Sequence, residues 1–264
     1  MKTGLLRRAV QASTFALIAA IPVLNRKGIT VLMGSLYSLA IGPLRITDPL
    51  SGVQAMIASP AVDGVLLFSI LIPVLLALIF GRVFCSWVCP QNTISEIFDY
   101  ISERLGVKRF ESLHLAVRSR YVIMACLLVS APLAGFPVAT LVSAPGIISV
   151  QTTKYIYEGA VGLELGLIGV IILFELFVVR RAWCNYICPV GSFLGIFRFG
   201  KTMKVAFAED KQHSCSRCLA CAKACRLGLD PMGKGLFPLC HNCGACIDAC
   251  AKTRGGGGPL SFKF

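Results

Sequence analysis

Four apolar segments, each close to the length that crosses a bilayer, constrain the fold of this chain more than any other feature. A helix needs about 20 mostly apolar residues to span the hydrocarbon core of a membrane. Such segments run over about 9–25, 60–80, 121–141 and 160–179. Only 15% of the residues are charged, against about a quarter in soluble domains. The sequence therefore predicts an α-helical integral membrane protein with about four transmembrane helices.

The basic residues flank these segments unevenly. Six Lys and Arg residues lie in 82–120 and five in 180–204, whereas 140–159 carries only Lys154. Cytoplasmic loops of membrane proteins carry the excess of Lys and Arg. We therefore expect a multi-pass protein of the bacterial cytoplasmic (inner) membrane, with its C-terminal part in the cytoplasm. The formal charge of +13 is interpreted as contact with membrane lipid, and no nucleic acid partner is expected.

Two N-terminal features allow alternatives. The first apolar segment follows Arg7 and Arg8, as in a signal peptide, but no small-x-small cleavage site follows it, which favours an uncut helix. The apolar run 29–44 is short and interrupted by glycine, and we interpret it as an external or re-entrant segment. If this run spans the membrane instead, there are five helices and the N-terminus lies outside.

A repeat places one cysteine motif after each pair of apolar segments. Cys85-x3-Cys89-Pro90 matches Cys184-x3-Cys188-Pro189 at an offset of 99 residues, so the loops at 85–90 and 184–189 are equivalent. A duplicated helix pair packs with approximate twofold symmetry, which predicts that the two loops meet. The four thiols are candidates for a third cluster, a disulfide, another metal site or a quinone contact, or they merely pack.

The C-terminal cysteines carry the most specific spacing. A Cys-x2-Cys-x2-Cys-x3-Cys run occurs twice at an offset of 25 residues. In two-cluster ferredoxins the fourth cysteine of each run ligates the other cluster. One [4Fe–4S] cluster is therefore assigned to Cys215, Cys218, Cys221 and Cys250, and the second to Cys240, Cys243, Cys246 and Cys225. Zinc is disfavoured because its sites use separated Cys-x2-Cys pairs.

These motifs divide the chain into three parts. Residues 1–204 are predicted to form the membrane domain, 205–254 a bacterial-ferredoxin-like α+β domain, and 255–264 a tail. Glu175 lies inside the fourth apolar segment and is a candidate proton relay, because ionisable groups inside membrane helices are costly. Alternatively, Glu175 pairs with a nearby arginine. Cys126, alone in an apolar run, is expected to be a buried structural thiol.

The helix pairs, the two Cys-x3-Cys-Pro motifs and the double-cluster terminus together resemble the NapH family. These are ferredoxin-type quinol dehydrogenase components of periplasmic nitrate reductase systems, related to the NosR and MauN polyferredoxins. The stretches 46–50 (ITDPL) and 82–90 (RVFCSWVCP) also look like the family's. The resemblance implies four transmembrane helices, cytoplasmic termini and electrons from menaquinol or ubiquinol. It also implies a partner such as a NapG-like ferredoxin or a multihaem cytochrome.

Three functions are compatible with this pattern. The first is electron transfer from quinol through [4Fe–4S] clusters to a partner redox protein of an anaerobic respiratory chain. The second is maturation or regulation of another metalloenzyme. The third is a scaffold in which the clusters are structural.

Overall fold

The first apolar segment forms a single long helix, α1, from Lys2 to Arg26. The protein is described from a computed structural model, which covers residues 2–59, 64–107, 109–110, 118–197, 201–208, 215, 217–233, 236, 239–254 and 258–264. Within these ranges, the helix over Thr3–Arg26 is the one that is long and apolar enough to cross a membrane by length and composition. A signal sequence near an N-terminus meets the same criteria.

The other three predicted spans are shorter helices. They are α3 (Gly64–Phe80), α6 (Ser119–Ala134) and α9 (Glu164–Phe177). Residues 60–63, where the second span was predicted to begin, lie outside the described residues. The predicted end of the third span at residue 141 is wrong, because Gly135 adopts a left-handed conformation (φ 73°) that terminates α6.

The segment after α6 also differs from the prediction. A short helix, α7 (Ala139–Val142), is followed by α8 (Ala144–Glu158). Residues 140–159, which separate the third and fourth predicted spans, therefore contain a helix that was not predicted: Ile147 and Ile148 of α8 are buried in one cluster with Ile168 and Ile171 of α9. The sequence did not reveal α8 because its apolar residues are too few to resemble a span.

The apolar run 29–44 contributes to a three-stranded antiparallel sheet. Its strands are β1 (Leu32–Gly34), β2 (Ser38–Ile41) and β3 (Leu44–Thr47), in that order. The described residues thus do not form a fifth transmembrane helix in this run. Helix α2 (Pro49–Ala58) follows directly, capped by Asp48, whose side chain accepts a hydrogen bond from the backbone N–H of Ser51.

The two repeated motifs occupy equivalent positions. After α3 come α4 (Val83–Trp87) and α5 (Pro90–Arg104), and after α9 come a π-helical turn (Trp183–Ile187) and α10 (Pro189–Ile196). Helix α5 packs on α8 and α9, whereas α10 packs on α2 and α6.

The C-terminal unit mixes helices and strands, as predicted. Strands β4 (Lys204–Phe207) and β5 (Leu260–Lys263) pair antiparallel around α11 (Ala220–Lys223) and α12 (Ala245–Thr253). The prediction that 255–264 is a tail is wrong for β5, because its residues supply the second strand of this sheet. Residues 255–257 lie outside the described residues.

The N-terminal half of α1 is attached to both parts of the molecule. Arg7 Nη1 donates to Glu96 Oε1 on α5 at 2.6 Å, and both side chains are largely buried. The backbone N–H of Gly4 donates to Asp248 Oδ2 on α12 at 2.8 Å. Helix α1 is therefore an integral packing element of the fold.

Cys126 lies on the exposed face of α6, so its prediction as a buried thiol is wrong. Its apolar run is not a core segment: Val122, Val129 and Leu133 on the same helix are also exposed.

Candidate metal centres

The two Cys-x3-Cys-Pro motifs fold into matching turns. Pro90 and Pro189 are the first residues of α5 and α10, and Cys89 and Cys188 are the N-caps. Proline suits this position because its φ is fixed and its missing N–H would have no partner in the first helical turn. Each capping cysteine donates its backbone N–H to the carbonyl oxygen of an aromatic residue five positions earlier, at 2.9 Å and 2.8 Å respectively. The sequence repeat is therefore also a repeat of local structure.

The four thiols of these motifs meet at one place. Burial raises the pKa of Cys89, and the charges of Cys85 and Cys188 raise it further. Burial also raises the pKa of Cys184, to which the charges of Glu175 and Cys188 add. Because each thiol lies within electrostatic reach of at least two of the others, the prediction that the loops meet is confirmed. We call Cys85, Cys89, Cys184 and Cys188 the four-cysteine site.

No disulfide joins the thiols of the four-cysteine site. Among the described residues, no three His, Cys, Asp or Glu side chains are grouped closely enough to hold a single metal ion. Tetrahedral thiolates around one zinc lie about 3.8 Å apart, whereas the corners of an iron–sulfur cube are spaced more widely. The absence of such a close group in the described part of the chain therefore argues against a single bound ion and does not bear on an iron–sulfur cluster.

Three buried arginines surround the four-cysteine site. Arg82 and Arg120 lie within electrostatic reach of Cys188, and Arg181 lies within reach of Cys184. Arg120 and Arg181 are each only 1% exposed. Buried charges are stable only when they are compensated. Since thiolates bound to iron carry net negative charge, these arginines provide compensation for an anionic group at this site.

The surroundings of Arg120 show whether the residues at the four-cysteine site fit an iron–sulfur cluster. Its Nε donates to Ser192 Oγ at 3.0 Å. Its two terminal nitrogens are buried without a hydrogen-bond partner in the part of the chain that the structure describes. The charges of Cys85 and Cys188 both act on this guanidinium group. Unpaired donors beside thiolates are suited to the sulfurs of an iron–sulfur cluster, so the residues present fit that group.

Glu175, the predicted proton relay, connects α5 to the second motif. Its Oε2 accepts a hydrogen bond from Ser95 Oγ at 2.6 Å, and its Oε1 accepts one from the backbone N–H of Trp183 at 3.1 Å. Its carboxylate lies within electrostatic reach of Cys184 and Arg181. The structure thus places Glu175 beside the four-cysteine site and beside an arginine, which was the alternative interpretation. The proton-relay role stays a prediction.

Asp99, which the sequence interpretation missed, organises the arginines behind this site. It accepts hydrogen bonds from Arg181 Nε at 2.8 Å and from Arg109 Nη1 at 2.9 Å, and Arg180 Nε is 3.6 Å away. Burial alone raises its pKa, but the charges of Arg181 and Arg180 outweigh burial, and the pKa of Asp99 is lowered. The motif repeat contained a usable signal, since it begins with an arginine in both copies, at 82 and 181.

The two C-terminal cysteine runs have the same backbone conformation. Arg217 and Leu219 in the first run have positive φ values of 50° and 56°, and Asn242 and Gly244 in the second have 53° and 74°. Both pairs are related by the offset of 25 residues that relates the cysteines. Left-handed conformations cost about 1 kcal/mol or more at residues other than glycine. Their recurrence indicates that each run wraps around an equivalent centre.

The structure also groups cysteines from different runs. Cys225, Cys240, Cys243 and Cys246 all line one small cavity. Cys221 lies within electrostatic reach of Cys250. Each group combines cysteines from both runs, as in the crossed assignment. Residues 209–214 and 216, around Cys215, lie outside the described residues.

The second of these cysteine runs packs directly on the four-cysteine site. Ser86 Oγ donates to the carbonyl oxygen of His241 at 2.6 Å, and Trp87 Nε1 donates to that of Asn242 at 3.3 Å. Arg82 Nη1 donates to the Leu239 carbonyl oxygen at 3.1 Å. Ser86 follows Cys85, and His241 follows Cys240, so the loops that carry the two sets of thiols are in hydrogen-bond contact.

Comparison with known proteins identifies the repeat as a recurring unit. A family model described as a 4Fe-4S binding domain matches residues 62–108 and again 161–205. Each match contains one Cys-x3-Cys-Pro motif and ends before the C-terminal cysteine runs. The ferredoxin-type protein MauN of Methylorubrum extorquens is 32% identical over 83% of this chain and 73% of its own length. The chain belongs to the family of NapH and MauN ferredoxin-type proteins.

Other relatives agree with this assignment. The ferredoxin-type protein NapH of Escherichia coli is 30% identical over 85% of this chain and 79% of its own length. MauN of Paracoccus denitrificans is 31% identical over 85% of this chain and 76% of its own length. No solved structure matches the chain. The predicted resemblance is confirmed, and the chain is an iron–sulfur electron-transfer protein with a ferredoxin-like 4Fe–4S domain.

Proposed function

We propose that this protein oxidises membrane quinol and passes the electrons through three [4Fe–4S] clusters to a partner redox protein of an anaerobic respiratory chain. The observation that carries this proposal is the contact between the four-cysteine site and the C-terminal cysteines through Ser86 and His241. This contact provides a continuous path between the apolar helices and the ferredoxin-like unit.

The three clusters are assigned to twelve of the cysteines. The four-cysteine site holds one cluster, and the C-terminal unit holds the other two with the crossed ligand sets. These sets are Cys215, Cys218, Cys221 and Cys250, and Cys240, Cys243, Cys246 and Cys225. The match of the 4Fe-4S binding domain to both Cys-x3-Cys-Pro motifs supports the third cluster. When bound, such clusters supply one-electron redox chemistry, which divides the two-electron oxidation of a quinol into single steps.

The protein residues position and neutralise these centres. Helix N-termini present backbone N–H groups to the capping thiols: Gly191 N lies 3.4 Å from Cys188 Sγ. Arg82, Arg120 and Arg181 balance negative charge that water cannot reach. Asp99 and Glu175 in turn hold Arg181 and the backbone of the second motif.

Exposed apolar side chains support a multi-pass arrangement in the cytoplasmic membrane. Large apolar residues are exposed along α3, α6 and α9, including Phe68, Leu75, Leu133, Val170 and Phe177. Soluble proteins rarely expose contiguous apolar surfaces of this extent. We propose that these faces contact lipid and that the ferredoxin-like unit faces the cytoplasm, as the positions of the basic residues predict. The proposed partner is a NapG-like ferredoxin or a multihaem cytochrome.

The test uses the full-length chain, purified without oxygen and reconstituted in lipid nanodiscs. We expect about 12 irons per chain and bleaching of the cluster absorbance by a reduced menaquinone or ubiquinone analogue. Cys188→Ala should lose about four irons. Quinol should no longer reduce its remaining clusters, whereas dithionite should still reduce the C-terminal ones. Cys126→Ala is the matched control, because this thiol is exposed and belongs to none of the cysteine motifs, and it should behave as the parent.

Two outcomes would contradict the proposal. A parent protein whose clusters are reduced by dithionite but not by any quinol would show that quinol is not the donor. Full iron content in Cys188→Ala would exclude a cluster at the four-cysteine site.

A further inference from the structure

A cavity of about 370 Å³ lies between α1, the three-stranded sheet, α3, α4 and α10. This volume is in the range of small-molecule sites, which are mostly apolar with a few placed polar groups. The described residues that line the cavity are apolar except for Thr14, Ser35, Thr47 and Asp48. The three-stranded sheet forms one wall. Non-helical backbone at membrane depth is tolerated where it lines a cavity.

The cavity adjoins the four-cysteine site. Phe84 and Val190 line it, and they also pack in the apolar cluster that contains Cys85 and Cys188. A molecule in the cavity would therefore be separated from these thiols by about one layer of side chains. This is a suitable position for an electron donor to a centre held by the cysteines.

The cavity also reaches the apolar exterior of the molecule. Leu17 of α1 and Leu76 of α3 line it, although they are 39% and 51% exposed. These residues mark a mouth between two helices whose outer faces are apolar. An isoprenoid tail could extend from this mouth into lipid while the ring of the same molecule occupied the cavity.

Asp48 is the one ionisable residue among the described residues that line the cavity. Ser51 holds its carboxylate in place, because the backbone N–H and the hydroxyl of Ser51 both donate to Oδ2, at 3.0 Å and 2.7 Å. Burial raises the pKa of Asp48, although the hydrogen bonds from Ser51 oppose this shift. Burial raises the pKa of the Tyr37 phenol, and the charge of Asp48 adds to this shift.

We propose that this cavity binds the ring of the membrane quinol and that Asp48 accepts the protons of its hydroxyl groups. The inference rests on the proposed function and adds the location of the substrate. Oxidation of one quinol to quinone releases two electrons and two protons. When bound at the four-cysteine site, an iron–sulfur cluster would accept these electrons one at a time. Each proton passes to a carboxylate oxygen of Asp48 and then to water before the next arrives.

The experiment uses the full-length protein in nanodiscs and two measurements. The first is binding of an oxidised, short-tailed quinone to the oxidised protein, and the second is the rate of cluster reduction by the corresponding quinol, with dithionite as reference. Leu39→Trp fills the cavity from β2. Met33→Trp is the control, since Met33 is exposed and pairs with Ala40, which points to the opposite face of the sheet from Leu39. Leu17→Trp at the mouth tests the same idea without altering the sheet.

We expect Leu39→Trp and Leu17→Trp to weaken quinone binding about tenfold or more, and Met33→Trp to bind as the parent. Asp48→Asn retains an N-cap side chain, so it should bind quinone normally but be reduced by quinol about 100-fold more slowly. Parental quinone binding in both Leu39→Trp and Leu17→Trp, or parental quinol rates in Asp48→Asn, would overturn the inference while leaving quinol oxidation in place. If the parent binds quinone in the cavity but quinol does not reduce its clusters, the proposed function fails and the site stands.

Discussion

Crossed ligation of the two C-terminal clusters makes a quantitative prediction about iron content. In the structure, Cys225 lines the same cavity as Cys243, so both should hold one cluster. Cys218 belongs to the other proposed set. Each [4Fe–4S] cluster contains about four irons. Removal of two ligands from one cluster should cost no more iron than removal of one, whereas ligands of different clusters should have additive effects.

The single variants Cys225→Ala and Cys243→Ala should each lose about four irons per chain, and the double variant should also lose about four. Cys225→Ala combined with Cys218→Ala should lose about eight. If the single variants retain a three-iron cube on their three remaining cysteines, each loses about one iron and the pair Cys225 and Cys218 loses about two, whereas the pair Cys225 and Cys243 leaves only two ligands and loses about four. Iron and sulfide are measured on anaerobically purified protein, with electron paramagnetic resonance to identify each remaining cluster.

The opposite pattern would refute the crossed arrangement. If each run held its own cluster, Cys225 and Cys218 would share one cluster, so their double variant would lose about four irons and the pair Cys225 and Cys243 about eight. Cys126→Ala serves as the thiol control and should retain the full iron content, because it lies on the exposed face of α6.

Three further predictions concern stability. Asp99→Asn should destabilise the protein by about 3–5 kcal/mol, since it leaves buried Arg181 without its carboxylate partner; a melting temperature within 2 °C of the parent, at about 2–4 °C per kcal/mol, would contradict this. Because the pKa of Asp99 is lowered, its contribution is present above the unfolded pKa of about 3.9 and is lost as the pH falls further. The melting temperature of the parent should therefore fall below about pH 4, and that of Asp99→Asn should fall less; equal slopes would contradict the assignment. Gly146→Ala should cost about 1–3 kcal/mol, because its methyl group would overlap the ring of Tyr37, whereas Gly169→Ala has open space and should gain up to about 1 kcal/mol. Equal melting temperatures for the two alanine variants would contradict the packing argument.

Local spacing made the backbone geometry of the Cys-x3-Cys-Pro motifs predictable. A Cys-x3-Cys-Pro motif places a proline at the start of a helix and a cysteine at its N-cap, whatever surrounds it. The offset of 99 residues then predicts that two such turns meet, and Cys85 does lie beside Cys188. The backbone of the C-terminal runs also repeats with the sequence: Leu219 and Gly244 occupy equivalent positions in the two runs, and both are left-handed.

Features that depend on distant contacts were not predictable. Helix α8 has no strong apolar pattern and is recognised only by its packing on α9. The sheet over 32–47 forms because its strands pair with each other, whereas the composition of the same run also allowed a helix. Strand β5 requires β4, which lies more than 50 residues earlier in the chain.

The sequence by itself determined which cysteines are candidate cluster ligands, because metal ligation depends on residue type and on spacing along the chain. Only the tertiary structure decided the surroundings of those residues. Asp48 reaches a cavity beside the cysteines, and Arg120 compensates their charge, through contacts between elements far apart in sequence. Burial, charge compensation and cavities arise from several elements at once, so no local pattern encodes them.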